Sequence, residues 1–224
     1  MKLAARPQTW WLLGLLLVAG AGGAGETPTE DVVGAVERHY SRVRTLEAEF
    51  VQRYTYGATT LVESGRVYFK KPGRMRWDYN SPEEKLFLAD GQYAYLYVPQ
   101  EQQVRRYPVK EAPQWQAAFA LLFQEKKADL GRVFDRIQVV RLHRLEGPAR
   151  WQLRGLPKSD KQGFTEIWLD LNRLYQVVRV EIRQRDSSLM EFHFRRWREN
   201  HPLDADLFKL DVPPGTTWVT EEGN

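Results

Sequence analysis

The sequence predicts an α+β chain that is mainly β, with one curled antiparallel sheet and helices laid on it. Two observations carry this reading. Apolar residues alternate with polar ones in about eleven short runs set off by Gly, Pro, Asn and Asp, whereas a period of 3.6 appears in only two substantial segments. No stretch reads as an interdomain linker, and the alternating runs before and after the second helical segment share composition and spacing. Residues 26 to 224 therefore read as a single domain, and an antiparallel sheet of that many strands curls or closes.

The chain opens with MKLAARPQTWWLLGLLLVAGAGGAG, residues 1 to 25, in which Lys2 and Arg6 precede an apolar run from Trp10 to Val18 and then small residues. That order is a secretory signal peptide, cleaved after Ala21 or Ala24, and the run falls short of the roughly 20 apolar residues that span a bilayer. Thr27-Pro28-Thr29-Glu30 then has the residues of a capping box with proline at the first helical position. Val32, Val36, Tyr40 and Val43 follow at helical spacing, which predicts an amphipathic helix to about Val43.

After Arg44 the period becomes two, with Leu46, Ala48, Phe50 and Tyr54 on one face of a strand and Glu47, Glu49, Val51 and Arg53 on the other. In RVYFKKPGRMRWDY, residues 66 to 79, Val67, Phe69, Met75, Trp77 and Tyr79 alternate with Arg66, Tyr68, Lys70, Arg74, Arg76 and Asp78 around a Lys71-Pro72-Gly73 turn. A hairpin over 86 to 98 turns at Asp90-Gly91, and 103 to 107 is a further strand. Trp115, Ala118, Phe119, Leu122 and Phe123 restore helical spacing over 113 to 125, and a short helical piece is expected over 128 to 134. Strands resume at 137 to 142, 151 to 154, 165 to 170, 175 to 182, 189 to 197 and 208 to 210.

Charge and composition exclude several functions. Without Lys2 and Arg6 the 33 basic residues fall to 31 against 29 acidic ones, a net +2 with both signs interspersed, which is not the basic face that phosphate contacts need. The cations of residues 66 to 79 also lie opposite the aromatics, whereas sheets that bind nucleic acid put both on one face. There is no cysteine, hence no disulfide and no residue to carry a lipid anchor, so the exported chain is expected to be soluble in the periplasm. His39, His143, His193 and His201 do not fall at metal-ligand spacing, and Asp204 and Asp206 lie in a polar loop-like segment. Nucleophile-elbow and phosphate-loop motifs are missing, so binding without a cofactor or catalytic residue is the better class. Phe, Trp and Tyr make up 12% of the chain, mostly on one face of successive strands, which suits either a closed core or the lining of a pocket for an apolar ligand.

Several segments, in order along nearly the whole mature chain, resemble the periplasmic outer-membrane lipoprotein carrier family, LolA-like. They are Ala48-Glu49-Phe50-Val51-Gln52, the run from Gly65 to Tyr79, Pro82, Ala89-Asp90-Gly91-Gln92 with the aromatic strand to Tyr97, the run from Ala118 to Phe123, Asn200, Leu203-Asp204, Phe208 and Pro213-Pro214-Gly215. The resemblance implies an unclosed antiparallel β-barrel of about eleven strands with an α-helical lid, a monomeric chaperone without cofactor. Its hydrophobic interior would take the acyl chains of lipoproteins from an inner-membrane ABC transporter complex and pass them to an outer-membrane acceptor. On that expectation Phe50, Phe69, Met75 and Trp77 line the barrel wall, Trp115, Phe119 and Leu122 form the inner stripe of the lid, and Val36 and Tyr40 contribute from the first helix. Many members have an arginine before the turn proline that holds the lid to the barrel; here the residue is Lys71, a point charge without arginine's planar fork. The membrane-anchored acceptor of the same superfamily would need a cysteine, an esterase or glycan-binding barrel would need a polar cluster, and a lipid- or lipoprotein-binding sensor or a carrier of another lipid is the alternative.

Overall fold

The computed structural model describes residues 29–109, 128–140, 147–159 and 163–220. One helix, α1 (Thr29–Arg42), precedes twelve strands: β1 (Thr45–Tyr56), β2 (Thr59–Lys70), β3 (Arg74–Ser81), β4 (Lys85–Ala89), β5 (Tyr93–Val98), β6 (Gln103–Pro108), β7 (Phe134–Val139), β8 (Trp151–Pro157), β9 (Phe164–Leu171), β10 (Val177–Gln184), β11 (Leu189–Glu199) and β12 (Thr217–Thr220). They form one sheet in the order β12-β6-β5-β4-β3-β2-β1-β11-β10-β9-β8-β7, antiparallel throughout except for the parallel β12·β6 pair. The order is linear, so β12 and β7 are the two edges and the barrel is unclosed. Apart from β12, each half is a meander of neighbouring hairpins, and the halves join where β1 meets β11, with Phe50 opposite Phe194.

The alternation read from the sequence is the alternation of burial. In β3, Met75, Trp77 and Tyr79 are buried while Arg74, Arg76 and Asp78 are half-exposed; in β2, Val67 and Phe69 are buried and Arg66 is exposed. The inward face shares one apolar cluster with α1, which contributes Val32, Val36 and Tyr40, and with Val43 just past its end. The helix therefore lies on the sheet's apolar side, its stripe supplied by the helical spacing of those four residues. Gly65 sets the approach of β2 to β3: a Cβ there would lie 1.9 Å from the Asp78 carbonyl oxygen, and the pairing register shifts between Ser64 and Gly65.

The outward face is laced with ion pairs. Arg154 and Arg183 share Glu166, Arg183 and Arg179 share Glu181, and Arg179 also reaches Glu191 and Asp170. These arginines are matched by acids of the same or adjacent strands, so they form no unopposed basic face.

The twelve strands of the described residues agree with the expected unclosed sheet of about eleven, the four-residue β12 forming a parallel edge. Three other expectations need correction. Residues 208 to 210 do not form a strand: Asp206–Phe208 is a 3-10 turn that buries Phe208. The short helical piece shrinks to a 3-10 turn at Leu130–Arg132, with Phe134 already in β7. Tyr175 belongs to a turn, at φ 62°, where the Asn172 side chain accepts hydrogen bonds from the Leu174 and Gln176 amides. The signal peptide, the Thr27-Pro28 cap, and the helix over 113 to 125 with Trp115, Phe119 and Leu122 lie outside the described residues. So does His143.

Candidate functional site

Phe50 of β1, Phe69 of β2, and Met75 and Trp77 of β3 meet on the inward face, 1%, 2%, 4% and 0% exposed. Trp77 is their centre. Its ring meets Phe50 edge-on at 4.9 Å between centroids and Phe69 at 5.8 Å, and it tilts against Phe192 at 5.4 Å. Such pairs add about 0.5–1.5 kcal/mol each beyond the burial of their area. Phe192 and Phe194 of β11, stacked on each other at 6.1 Å, complete this buried aromatic cluster and were not singled out from the sequence. Their strand was legible, but its place beside β1 rests on a pairing between opposite ends of the domain that no local pattern encodes.

The helix over this wall is fastened at several points around its C-terminal turn. The Lys71 ammonium donates to the Tyr40 carbonyl at 2.6 Å, with the Ser41 carbonyl 3.5 Å away. A cation at the C-terminus of a helix meets carbonyls without intrahelical partners and the negative end of the dipole. Burial, and then the nearby Arg44 charge, holds the Lys71 pKa below the usual lysine value. The Tyr40 hydroxyl accepts a hydrogen bond from the Val177 amide of β10 at 2.9 Å, and burial pushes its pKa well up. His39 Nε2 lies 2.9 Å from the Glu199 carboxylate at the end of β11, and Gln176 donates to the same oxygen at 3.0 Å. Burial alone would raise the Glu199 pKa; the His39 hydrogen bond and charge, helped by Gln176, overcome it and hold the carboxyl below its ordinary value. Glu37 and Ser41 accept hydrogen bonds from the amides of Leu130 and Ala128.

Tyr40 and Val36 are thus on the helix face against the wall, and Lys71 joins that helix to the β2–β3 turn, whose Lys71-Pro72 peptide is cis. Beyond the aromatics, sequence reasoning missed a polar row on the same face: Gln52, Glu63, Tyr79 and Lys85. The Tyr79 hydroxyl donates to Gln52 Oε1 at 2.7 Å, Gln52 Nε2 to Glu63 at 3.3 Å, and Lys85 to the other Glu63 oxygen. A signal was available, because Gln52 is in phase with Leu46, Ala48 and Phe50 and so belongs to the buried side of β1.

Two depressions have a different character. One of about 540 Å³ is lined by Glu49, Arg66, Tyr68, Asp78, Arg195 and Arg196, and another of about 530 Å³ includes Arg74, Asp90, Tyr95 and Trp218. In the first, Arg195 and Arg196 both bond Glu49, at 3.0 and 2.5 Å, which holds the Glu49 carboxyl below its usual pKa. The first lining is charged and suits solvent, the second is mixed, with Phe208, Leu210 and Trp218 beside Arg74 and Asp90, and the Trp77 side of the sheet suits an apolar group. Among the described residues no cluster of three or more His, Cys, Asp or Glu could hold a metal ion, and no helix is long and apolar enough to cross a membrane.

Comparison with known proteins agrees with this architecture. The family described as outer membrane lipoprotein carrier protein LolA matches residues 41–211. An outer-membrane lipoprotein carrier protein of Methylibium petroleiphilum is 28% identical over 217 residues, covering 94% of this chain and 97% of its own. One from Cupriavidus taiwanensis is 31% identical over 181 residues, covering 77% and 80%. Among solved structures, an uncharacterized conserved protein from Thermus thermophilus shares the fold at a TM-score of 0.53 and 15% identity, covering 86% of this chain and 98% of its own. With a match spanning most of the sheet and the end of α1, the chain belongs to the LolA outer membrane lipoprotein carrier family.

Proposed function

We propose that this chain is a periplasmic carrier that binds the acyl chains of lipoproteins against the inward face of its unclosed barrel. It would receive them from an inner-membrane ABC transporter complex and deliver them to an outer-membrane acceptor, without catalysing a reaction. The observation that carries the reading is the aromatic wall of Phe50, Phe69, Met75 and Trp77 lying beneath a helix held by discrete polar bonds. A wall exposed by 4% or less admits cargo only after its cover moves, and hydrogen bonds at a helix end can break and reform without unfolding the sheet.

Magnitudes limit how the cargo is held. Three acyl chains of about fifteen methylenes each, at about 0.8 kcal/mol per methylene, represent roughly 36 kcal/mol of transfer from water. Non-covalent affinities level off near about 18 to 21 kcal/mol, and a shuttle must also release its load. Partial, loose burial against the wall therefore serves transfer better than complete enclosure, and a difference of a few kcal/mol from the acceptor sets its direction.

The test is uptake of a fluorescent fatty-acid probe by Met75→Glu and Trp77→Glu. Each places a carboxylate on the wall, and both variants should lose uptake while keeping the β circular-dichroism spectrum. Wild-type uptake by both would remove these residues from the binding surface.

A further inference from the structure

The aromatic wall ends in polar groups that hydrocarbon binding alone does not use. Gln52 and Glu63 are directly opposed across β1 and β2, and Tyr79 and Lys85 across β3 and β4. Gln52 is two positions beyond Phe50 and Tyr79 two beyond Trp77, so this row follows the aromatic row by about 7 Å on the same face. Gln52, Glu63 and Tyr79 are 6%, 7% and 5% exposed, and the Lys85 side chain keeps 27% of its surface in solvent.

The hydrogen bonds within the row leave donors unused. Tyr79 donates to Gln52, and Gln52 and Lys85 each donate to Glu63, with the Lys85 ammonium 4.4 Å from the centre of the Tyr79 ring. One Gln52 amide proton and two Lys85 ammonium protons are left over. Unused donors thus stand at the polar end of an apolar surface, beside acceptor positions still open on Glu63 and Gln52 Oε1. Glu63 meanwhile offsets the Lys85 charge, so these donors carry little net field. A neutral carbonyl matches such a site, whereas a carboxylate would meet the Glu63 charge at close range.

We propose that Gln52 and Lys85 form a head-group site for a neutral acyl ester or amide whose chain lies along Phe50 and Trp77. Tyr79 positions Gln52, and Glu63 positions Lys85 and disfavours free acids. This rests on the acyl-carrier reading and names the chemistry at one end of it.

Three fluorescent probes with the same chain test it by titration: a methyl ester, the free acid, and an alkane without a head group. Wild type should bind the ester about tenfold more tightly than the alkane, the effect of one hydrogen bond to a charged donor. The double variant Glu63→Gln/Lys85→Met, which leaves no buried charge unpaired, should bring ester and alkane to within about twofold and leave alkane affinity unchanged. Glu63→Gln alone frees the Lys85 charge and should move the free acid ahead of the ester. A purely structural role would shift all three affinities together. Should the double variant lose its native circular dichroism, Gln52→Met removes one donor and should still lower the ester-to-alkane ratio. Ratios unchanged in every folded variant overturn the head-group site but leave the carrier reading standing, whereas wild type that binds none of the probes overturns both.

Discussion

Replacing Lys71 with methionine keeps most of the aliphatic stem and removes the ammonium that joins the β2–β3 turn to the end of α1. The magnitude follows from geometry: the 2.6 Å contact to the Tyr40 carbonyl is a full hydrogen bond, while the 3.5 Å approach to Ser41 is at the limit of one. A charge-assisted bond contributes about 1.5–3 kcal/mol, and a cation at a helix C-terminus about 0.3–1 kcal/mol. Partial burial and the Arg44 charge, which together depress the Lys71 pKa, offset part of this. A net loss of about 2 kcal/mol would change the closed-to-open ratio of the helix about 30-fold. Stopped-flow mixing with a fluorescent fatty-acid probe reads that ratio if opening precedes binding: Lys71→Met should take up probe roughly ten to thirty times faster, and Lys71→Arg should return toward wild type. Uptake and release at wild-type rates, with lower stability in urea, would show that the bond stabilises α1 without gating the wall.

Other outcomes follow from the same contacts. Gly65→Ala drives a Cβ into the Asp78 carbonyl and should destabilise the fold by about 3 kcal/mol or more, measured by chemical denaturation. Tyr40→Phe strands the Val177 amide in a buried position and should cost about 1–3 kcal/mol, with faster hydrogen exchange at Val177. Glu199 has a depressed pKa in the folded state, so its stabilisation is present above its ordinary value of 4.5 and fades as pH falls through the folded value. Wild type should therefore exceed Glu199→Gln in thermal stability near neutrality, and the two should converge under acid; a gap independent of pH would contradict the sign.

The sequence spoke clearly wherever one strand sufficed. Met75, Trp77 and Tyr79 against Arg74, Arg76 and Asp78 is a period-2 pattern, and it marks the buried face without knowledge of neighbours. Val32, Val36 and Tyr40 of α1, and Val43 just past it, were legible on the core by their helical spacing. It was silent where two distant segments meet, so Phe192 and Phe194 were strand residues with no wall assigned to them. Phe208, Lys209 and Leu210 alternate like a strand, yet Phe208 buries itself from a 3-10 turn, because one apolar side chain can dock without a ladder. β12 went unread because its four mostly exposed residues carry no two-sided pattern and are held by backbone pairing to β6. Lys71 was singled out through resemblance, but its bond to the Tyr40 carbonyl needed the fold, since carbonyl acceptors leave no mark on residue identity.

The β1·β11 seam bears on how the chain reaches this shape. Both meanders can zip up hairpin by hairpin, but the Phe50 side of the first acquires its Phe192 and Phe194 neighbours only after residues 189 to 199 have been synthesised. Until then a row of aromatic rings faces solvent on a half-built sheet, a species that invites aggregation. The aromatic face proposed to shelter cargo would, during its own birth, need shelter itself.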